Sequence, residues 1–163
     1  MILLQISDIQ TAMSHLLVRN SFDDFYLESA EILTFASLSI RGRRNQSWYD
    51  TEEADAVGSE WIFWKEIKPV ACFYIKGNKT PTLLKLSLQA GDDIAESLLK
   101  DCGVWGKYLE QRPKLALQFR YEQGGLSVVS GISYQEFVLD KEIEFAWDDA
   151  VRQYFRHLGI ALF

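Results

Sequence analysis

The segment RGRRNQSWYD concentrates positive charge in a chain whose formal net charge is -6. Arg41, Arg43 and Arg44 are followed closely by Trp48 and Tyr49. Guanidinium groups bind phosphate oxygens in a bidentate way, and aromatic rings stack on nucleobases. These residue types indicate an anion-binding site, although a basic turn that is merely solvated has the same composition.

A second basic turn, KGNK, contains Lys76 and Lys79. If the fold brings the two turns together, we expect a site for a phosphate group, with Trp64 as a further aromatic wall. Successive side chains of an extended strand point to opposite faces. Arg43 is therefore the first candidate ligand and Arg41 the second, because they would share a face from which Arg44 points away.

Glu66 lies in the segment WKEIKP and is the candidate for acid–base chemistry, since burial beside tryptophans would raise its pKa. The alternative is an ordinary ion pair with Lys65 or Lys68. An enzyme acting on a phosphorylated small molecule would need Glu66, Arg43 and a lysine to converge.

The sequence lacks the residues that most other kinds of catalysis require. His15 and His157 are the two histidines, so a three-histidine metal site is excluded, and no glycine-rich phosphate loop or nucleophile elbow occurs. Cys72 lies in an apolar run typical of a buried thiol. Asp148 and Asp149 are adjacent on a helix, which favours a solvated face over a shared ligand. We expect no catalytic residue, no metal site and no cofactor.

Length and composition predict one domain, residues 1–163. The chain is 48% hydrophobic, which is enough to fill a core, and its pI of about 4.9 argues against a duplex-DNA binder. There is no Cys-x-x-Cys motif, no signal-peptide pattern and no apolar run long enough to span a membrane. We expect a cytoplasmic protein with reduced thiols that does not bind membranes.

Hydrophobic periodicity predicts an α+β fold. The sheet is antiparallel-rich or mixed, with about five to six strands, and three to four helices pack on it. The predicted helices cover about 7–19, 69–76, 92–102 and 141–158. The predicted strands cover about 2–6, 24–41 (one bent strand or two with a break near 29–31), 82–90, 114–122, 126–133 and 134–139. The acidic stretch 50–60 is predicted to be a mobile loop, because it carries five carboxylates and no basic residue.

Several segments together resemble a family of small uncharacterised proteins from anaerobic Gram-positive bacteria. They are IRGR, WKEIKP, YIKGNKTP, RYEQGGL, SGISYQEFVLDK and AWDD. The resemblance covers nearly the whole chain and implies a free-standing bacterial domain of unknown function. It implies no activity, substrate or site residue.

Three functions remain open from the sequence. The first is a non-catalytic binding or adaptor domain whose basic–aromatic site takes a nucleotide, a single-stranded nucleic acid or an acidic partner. The second is a small enzyme acting on a phosphorylated metabolite, and the third is a protein–protein interaction module. The missing acid–base set favours the first or third.

Overall fold

Six strands form one antiparallel sheet in the computed structural model, which describes residues 1–75, 77 and 79–163. The strands are β1 Leu3–Ile6, β2 Tyr26–Leu33, β3 Ser37–Arg41, β4 Leu83–Ala90, β5 Lys114–Glu122 and β6 Gly125–Ser133. Their order across the sheet is β1-β6-β5-β4-β2-β3, and every neighbouring pair is antiparallel.

Six α-helices accompany the sheet within the described part of the chain. They are α1 Ile9–Leu17, α2 Thr51–Val57, α3 Trp64–Ile75, α4 Asp92–Leu99, α5 Trp105–Gln111 and α6 Glu142–His157. Short 3-10 turns at Gln46–Trp48 and Lys100–Cys102 complete the regular structure. The single α+β domain and the strand count are confirmed, while the helix count exceeds the three to four predicted. None of the described helices is both long and apolar enough to cross a bilayer.

The sheet has an inner face that forms the core and an outer face of mostly polar side chains. Alternate residues of β4 and β5 are buried with side chains from α1, α3, α4 and α6, as their period-two pattern predicted. These inner residues include Leu84, Leu86, Leu88, Leu115, Leu117 and Phe119. Lys85, Ser87, Gln118 and Arg120 alternate with them and lie on the outer face.

The acidic stretch is helical where a loop was predicted, so that part of the prediction was wrong. The Asp50 side chain accepts a hydrogen bond from the Glu53 backbone N–H at 2.7 Å and caps α2. Acidic residues in the first turn complement the helix dipole, and Gly58 ends the helix at a φ of 67°. The capping hydrogen bond thus favours a helix here despite the excess of negative charge.

The strand predicted at 134–139 is absent, because β6 ends at Ser133 and the following residues are irregular. Both edges of β6 are already paired, one with β5 and the other with β1, so no edge is free for a hairpin partner. Segment 24–41 is two strands, and the chain turns at 34–36, not at 29–31.

Helix boundaries also differ from those predicted. α3 begins at Trp64 and carries Pro69 as its sixth residue, where the missing N–H removes one hydrogen bond to the Lys65 carbonyl. Its predicted end at Lys76 lies outside the described residues. Asp8 caps α1 by accepting from the Thr11 N–H at 3.1 Å. α5 was not anticipated.

Candidate anion-binding surface

Arg41 and Arg43 lie together on the outer face of the sheet. Arg41 pairs with Ser29 of β2, and Arg43 forms an isolated bridge with Trp61. Both arginines line one open cavity of about 600 Å³, which we call the trough. Arg44 points to the other side, as strand alternation predicted.

The trough contains both signs of charge and one aromatic wall. Lys85 of β4 adds a third cation beside the two arginines, and Trp61 supplies the ring. Glu28 and Glu31 also line it. Cations therefore outnumber carboxylates among its lining residues, in a protein whose overall charge is negative.

The carboxylates around the trough are partly neutralised. The Arg43 Nη2 atom lies 2.7 Å from Glu60 Oε1, with both side chains well exposed. Glu28 Oε1 accepts a hydrogen bond from Lys114 Nζ at 2.6 Å. Burial is the largest influence and would raise the pKa of Glu28, but the hydrogen bond and charge of Lys114, together with a hydrogen bond from Ser87 and a weak contact from Gln89, outweigh it and hold that pKa below its usual range.

Glu66 caps the N-terminus of α3, and Arg43 pairs with Glu60 instead. The Glu66 Oε2 atom accepts from the Phe63 backbone N–H at 2.6 Å, which is the helix half of a capping box. The same oxygen accepts from Arg44 Nη2 at 2.9 Å, and Arg44 Nη1 donates to Tyr49 Oη at 3.0 Å. Arg44 is thus a structural cation with a side chain only 6% exposed.

The ion pairs expected for Glu66 form elsewhere. Lys65 pairs with Asp24 at 2.8 Å, and Lys68 pairs with Asp23. The alternative that Glu66 pairs with either lysine is therefore wrong, because its partner is an arginine more than twenty positions earlier.

The aromatic walls expected from the sequence lie apart from the trough. Trp64 is 1% exposed and its Nε1 donates to the Leu16 carbonyl at 2.8 Å, so it belongs to the core and cannot contact a ligand. Trp48 is 76% exposed and packs edge-on against Tyr49, on the side of Arg44. The sequence analysis did not identify Trp61, which is the aromatic residue that lines the trough.

Lys79 of the second basic turn does not line the trough. Lys79 precedes β4, whose first residue Leu83 pairs with Leu33 at the far end of β2. Arg41 stands level with Ser29, four residues back along β2, which is about 13 Å of strand. Lys76 lies outside the described residues.

Other candidate groups are structural. His15 is buried and its Nδ1 lies 2.6 Å from Ser21 Oγ. Burial raises the pKa of the Cys72 thiol, as expected for an unreactive cysteine. Asp148 is buried and accepts from Ser130 Oγ, so the prediction of a solvated carboxylate holds only for its exposed neighbour Asp149. The described residues contain no cluster suited to a metal ion.

A larger cavity of about 680 Å³ has the opposite character. Asp24, Asp92 and Asp93 line it beside the stacked rings of Tyr26 and Phe63, whose centroids are 5.0 Å apart. Two of these aspartates already form ion pairs. Its acidic lining does not suit an anion.

A family model, described as a family of unknown function (DUF5721), matches residues 15–162. The chain belongs to this family. The expected membership of an uncharacterised family is confirmed, whereas the bacterial lineage stays a prediction. No curated protein and no solved structure matches the chain.

Proposed function

We propose that this protein is a non-catalytic binding domain that recognises the phosphate group of a nucleotide, free or within a single strand, in the trough. The observation that carries the proposal is the convergence of Arg41 and Arg43 with Lys85 and Trp61 on one cavity. The cations would bind the phosphate, and the indole ring would stack on the base. Trp48, Tyr49 and Lys79 are not needed by this geometry.

The size and exposure of the trough support such a ligand. About 600 Å³ lies within the usual range of small-molecule sites, which is roughly 300–1,000 Å³. The Arg43 side chain is 70% exposed, and exposed ion pairs contribute at most about 1 kcal/mol, so Glu60 would release it readily.

The test is a titration of mononucleotides and short single-stranded oligonucleotides against wild type and Arg43→Ala, at low and moderate salt. We expect wild type to bind at low salt and to lose affinity as salt rises, since ion pairing with phosphate releases counterions. Arg43→Ala should weaken binding by about tenfold, the equivalent of ~1.4 kcal/mol.

Arg120→Ala is the matched control, because Arg120 lies on the same face and pairs with Glu122 at 2.6 Å outside the trough. It should bind as wild type does. If wild type binds none of these ligands at low salt, or if Arg43→Ala binds equally well, the trough is not a phosphate site and the arginines only form a solvated turn.

The second candidate is a protein–protein interaction module, favoured by exposed apolar side chains. Phe35 at the β2–β3 turn is 91% exposed and packs against Tyr74 of α3. Val70 and Phe73 on the same helix are 49% and 79% exposed. If this surface binds a second copy of the chain, Phe73→Ser should lower the sedimentation coefficient at high concentration while Arg43→Ala should not.

The enzyme hypothesis gains least from the geometry, since Glu66 is held by Arg44 and the N-terminus of α3. The cytoplasmic location expected from the sequence stays a prediction.

A further inference from the structure

A second cavity, of about 280 Å³, opens at the other end of the outer face. We call it the rim cavity. It lies where β4 and β6 end and β5 begins. Gln89, Lys114 and Ser133 line it, together with Arg112 and Tyr134. Those lining residues include two cations and no carboxylate.

Gln89 is the buried donor of the rim cavity. Its side chain alternates with Leu86 and Leu88 and so lies on the outer face, yet it is only 8% exposed. Among the described residues, no acceptor meets hydrogen-bond geometry with its Nε2. The nearest acceptor is the Glu28 carboxylate, whose pKa a weak hydrogen-bonding contact from Gln89 helps to lower. A buried amide whose nearest acceptor lies outside good hydrogen-bond geometry is unfavourable, so the site favours a ligand that supplies a better-placed acceptor.

Tyr134 is half-buried, lines the rim cavity and provides a second donor. Its Oη is buried, and no partner for it occurs within the described part of the chain. Burial raises the pKa of Tyr134, and the charges of Glu144 and Asp140, which do not line the cavity, raise it further. The hydroxyl therefore keeps its proton and can donate.

The two cations retain donor capacity. Arg112 Nη1 binds Asp92 Oδ2 at 2.7 Å, and Lys114 Nζ binds Glu28 Oε1 at 2.6 Å. A guanidinium carries five N–H donors and an ammonium three, so neither is saturated by one carboxylate.

The backbone at Arg112 adds an independent observation. Arg112 adopts a φ of 41°, in the left-handed region that glycine would occupy at lower cost. Its N–H bonds the Tyr108 carbonyl at 2.7 Å and ends α5. The residue that ends α5 therefore also brings a cation to the rim cavity, with its side chain paired to Asp92.

We propose that the rim cavity binds a small oxyanion, a carboxylate or a phosphate group, through the Gln89 amide and the Tyr134 hydroxyl, with further hydrogen bonds from the remaining donors of Arg112 and Lys114. A volume of about 280 Å³ suits a small acid better than a nucleotide. None of these four residues lines the trough, so the proposal does not need a ligand there, although Glu28, the partner of Lys114, lines the trough.

The test follows the Gln89 side-chain amide by ¹⁵N NMR while inorganic phosphate or succinate is added at constant ionic strength. We expect a saturable shift of this resonance with at least one of the two ions. Phosphate alone or succinate alone would identify the class of oxyanion. If neither ion moves the Gln89 resonance, or if chloride moves it equally, the proposal is overturned.

Gln89→Leu removes the buried donor while keeping the volume, and Gln118→Leu makes the same change at an exposed site of β5 on the same face. With the Tyr134 and Lys114 resonances as reporters, Gln89→Leu should weaken binding at least about tenfold, whereas Gln118→Leu should not change it. The free Gln89→Leu protein should unfold at the same or a higher urea concentration than wild type, so lost binding would not reflect lost folding.

Two further variants separate this site from the trough. Arg112→Gly relieves the left-handed backbone yet removes a cation, so it should fold well and bind the ion more weakly. Arg43→Ala should leave the Gln89 shift unchanged. A Gln89 shift that vanishes in Arg43→Ala, or persists undiminished in Arg112→Gly, would place the ion elsewhere.

Discussion

At the residue scale, Gly42 holds the two trough arginines in place. A Cβ atom at this position would lie 1.7 Å from the Leu27 carbonyl oxygen, so only glycine permits the approach. Its N–H donates to the Glu28 carbonyl at 3.0 Å, and its carbonyl accepts from the Ile62 N–H at 2.9 Å. This close packing keeps the chain extended between Arg41 and Arg43 and puts both on the outer face.

Gly42→Ala should therefore destabilise the protein by about 3 kcal/mol or prevent folding, since the clash is with backbone that cannot move aside. The measurement is the urea midpoint at constant m-value. Gly106→Ala is the control, because a Cβ there meets nothing within 4 Å and alanine favours its helix. Equal stability of the two variants would contradict the packing argument.

Leu86 provides a test of the inner face. It is 2% exposed on β4, and its truncation to alanine should cost ~2–5 kcal/mol of unfolding free energy through lost burial and a residual cavity. Ser127→Ala on the outer face of β6 should change stability by less than about 0.5 kcal/mol. A Leu86→Ala protein as stable as wild type would show that this position is not packed.

At the scale of elements, α2 is a short helix of seven residues that buries none of its side chains. A helix this short is marginal in water unless tertiary packing supports it. The capping of Asp50 onto Glu53 decides its form, while the absence of buried side chains leaves its stability low.

We expect the amides of 51–57 to exchange orders of magnitude faster than those of β4 and β5, because local opening of α2 uncovers no apolar core. Native-state hydrogen exchange measures this directly. Slow exchange throughout 50–60 in the free protein would show that tertiary contacts stabilise the segment.

At the scale of the whole molecule, ion pairs join segments distant in sequence. Lys107 of α5 binds Asp140 at 2.6 Å and Glu142 at 2.7 Å, which ties α5 to the start of α6. The hydrogen bond from Lys107 holds the pKa of Asp140 below its usual value of 3.8. The pair of Glu28 with Lys114 joins β2 to β5.

A carboxylate whose pKa is lowered by folding stabilises the native state above its unfolded pKa, and that contribution is lost as the pH falls through the folded value. The unfolding free energy should therefore decline below about pH 4.5, near the usual pKa of glutamate. Lys107→Met should flatten part of this decline, while Lys100→Met, whose lysine forms no ion pair with the described residues, should not. Chemical denaturation from pH 3 to pH 7 measures both, and identical profiles for wild type and Lys107→Met would contradict the assignment.

The sequence by itself determined the fold class, the inner faces of β4 and β5, and the division of Arg41 and Arg43 from Arg44. These follow from local periodicity, because a strand alternates its side chains whatever it pairs with. The tertiary structure alone decided the neighbours. Strand order placed Lys85 beside the arginines, and a bridge to Arg43 placed Trp61 there. Lys79 does not line the trough, and Trp64 is buried in the core. Which strands pair depends on the balance of long-range burial over the entire chain, so no local pattern encodes it.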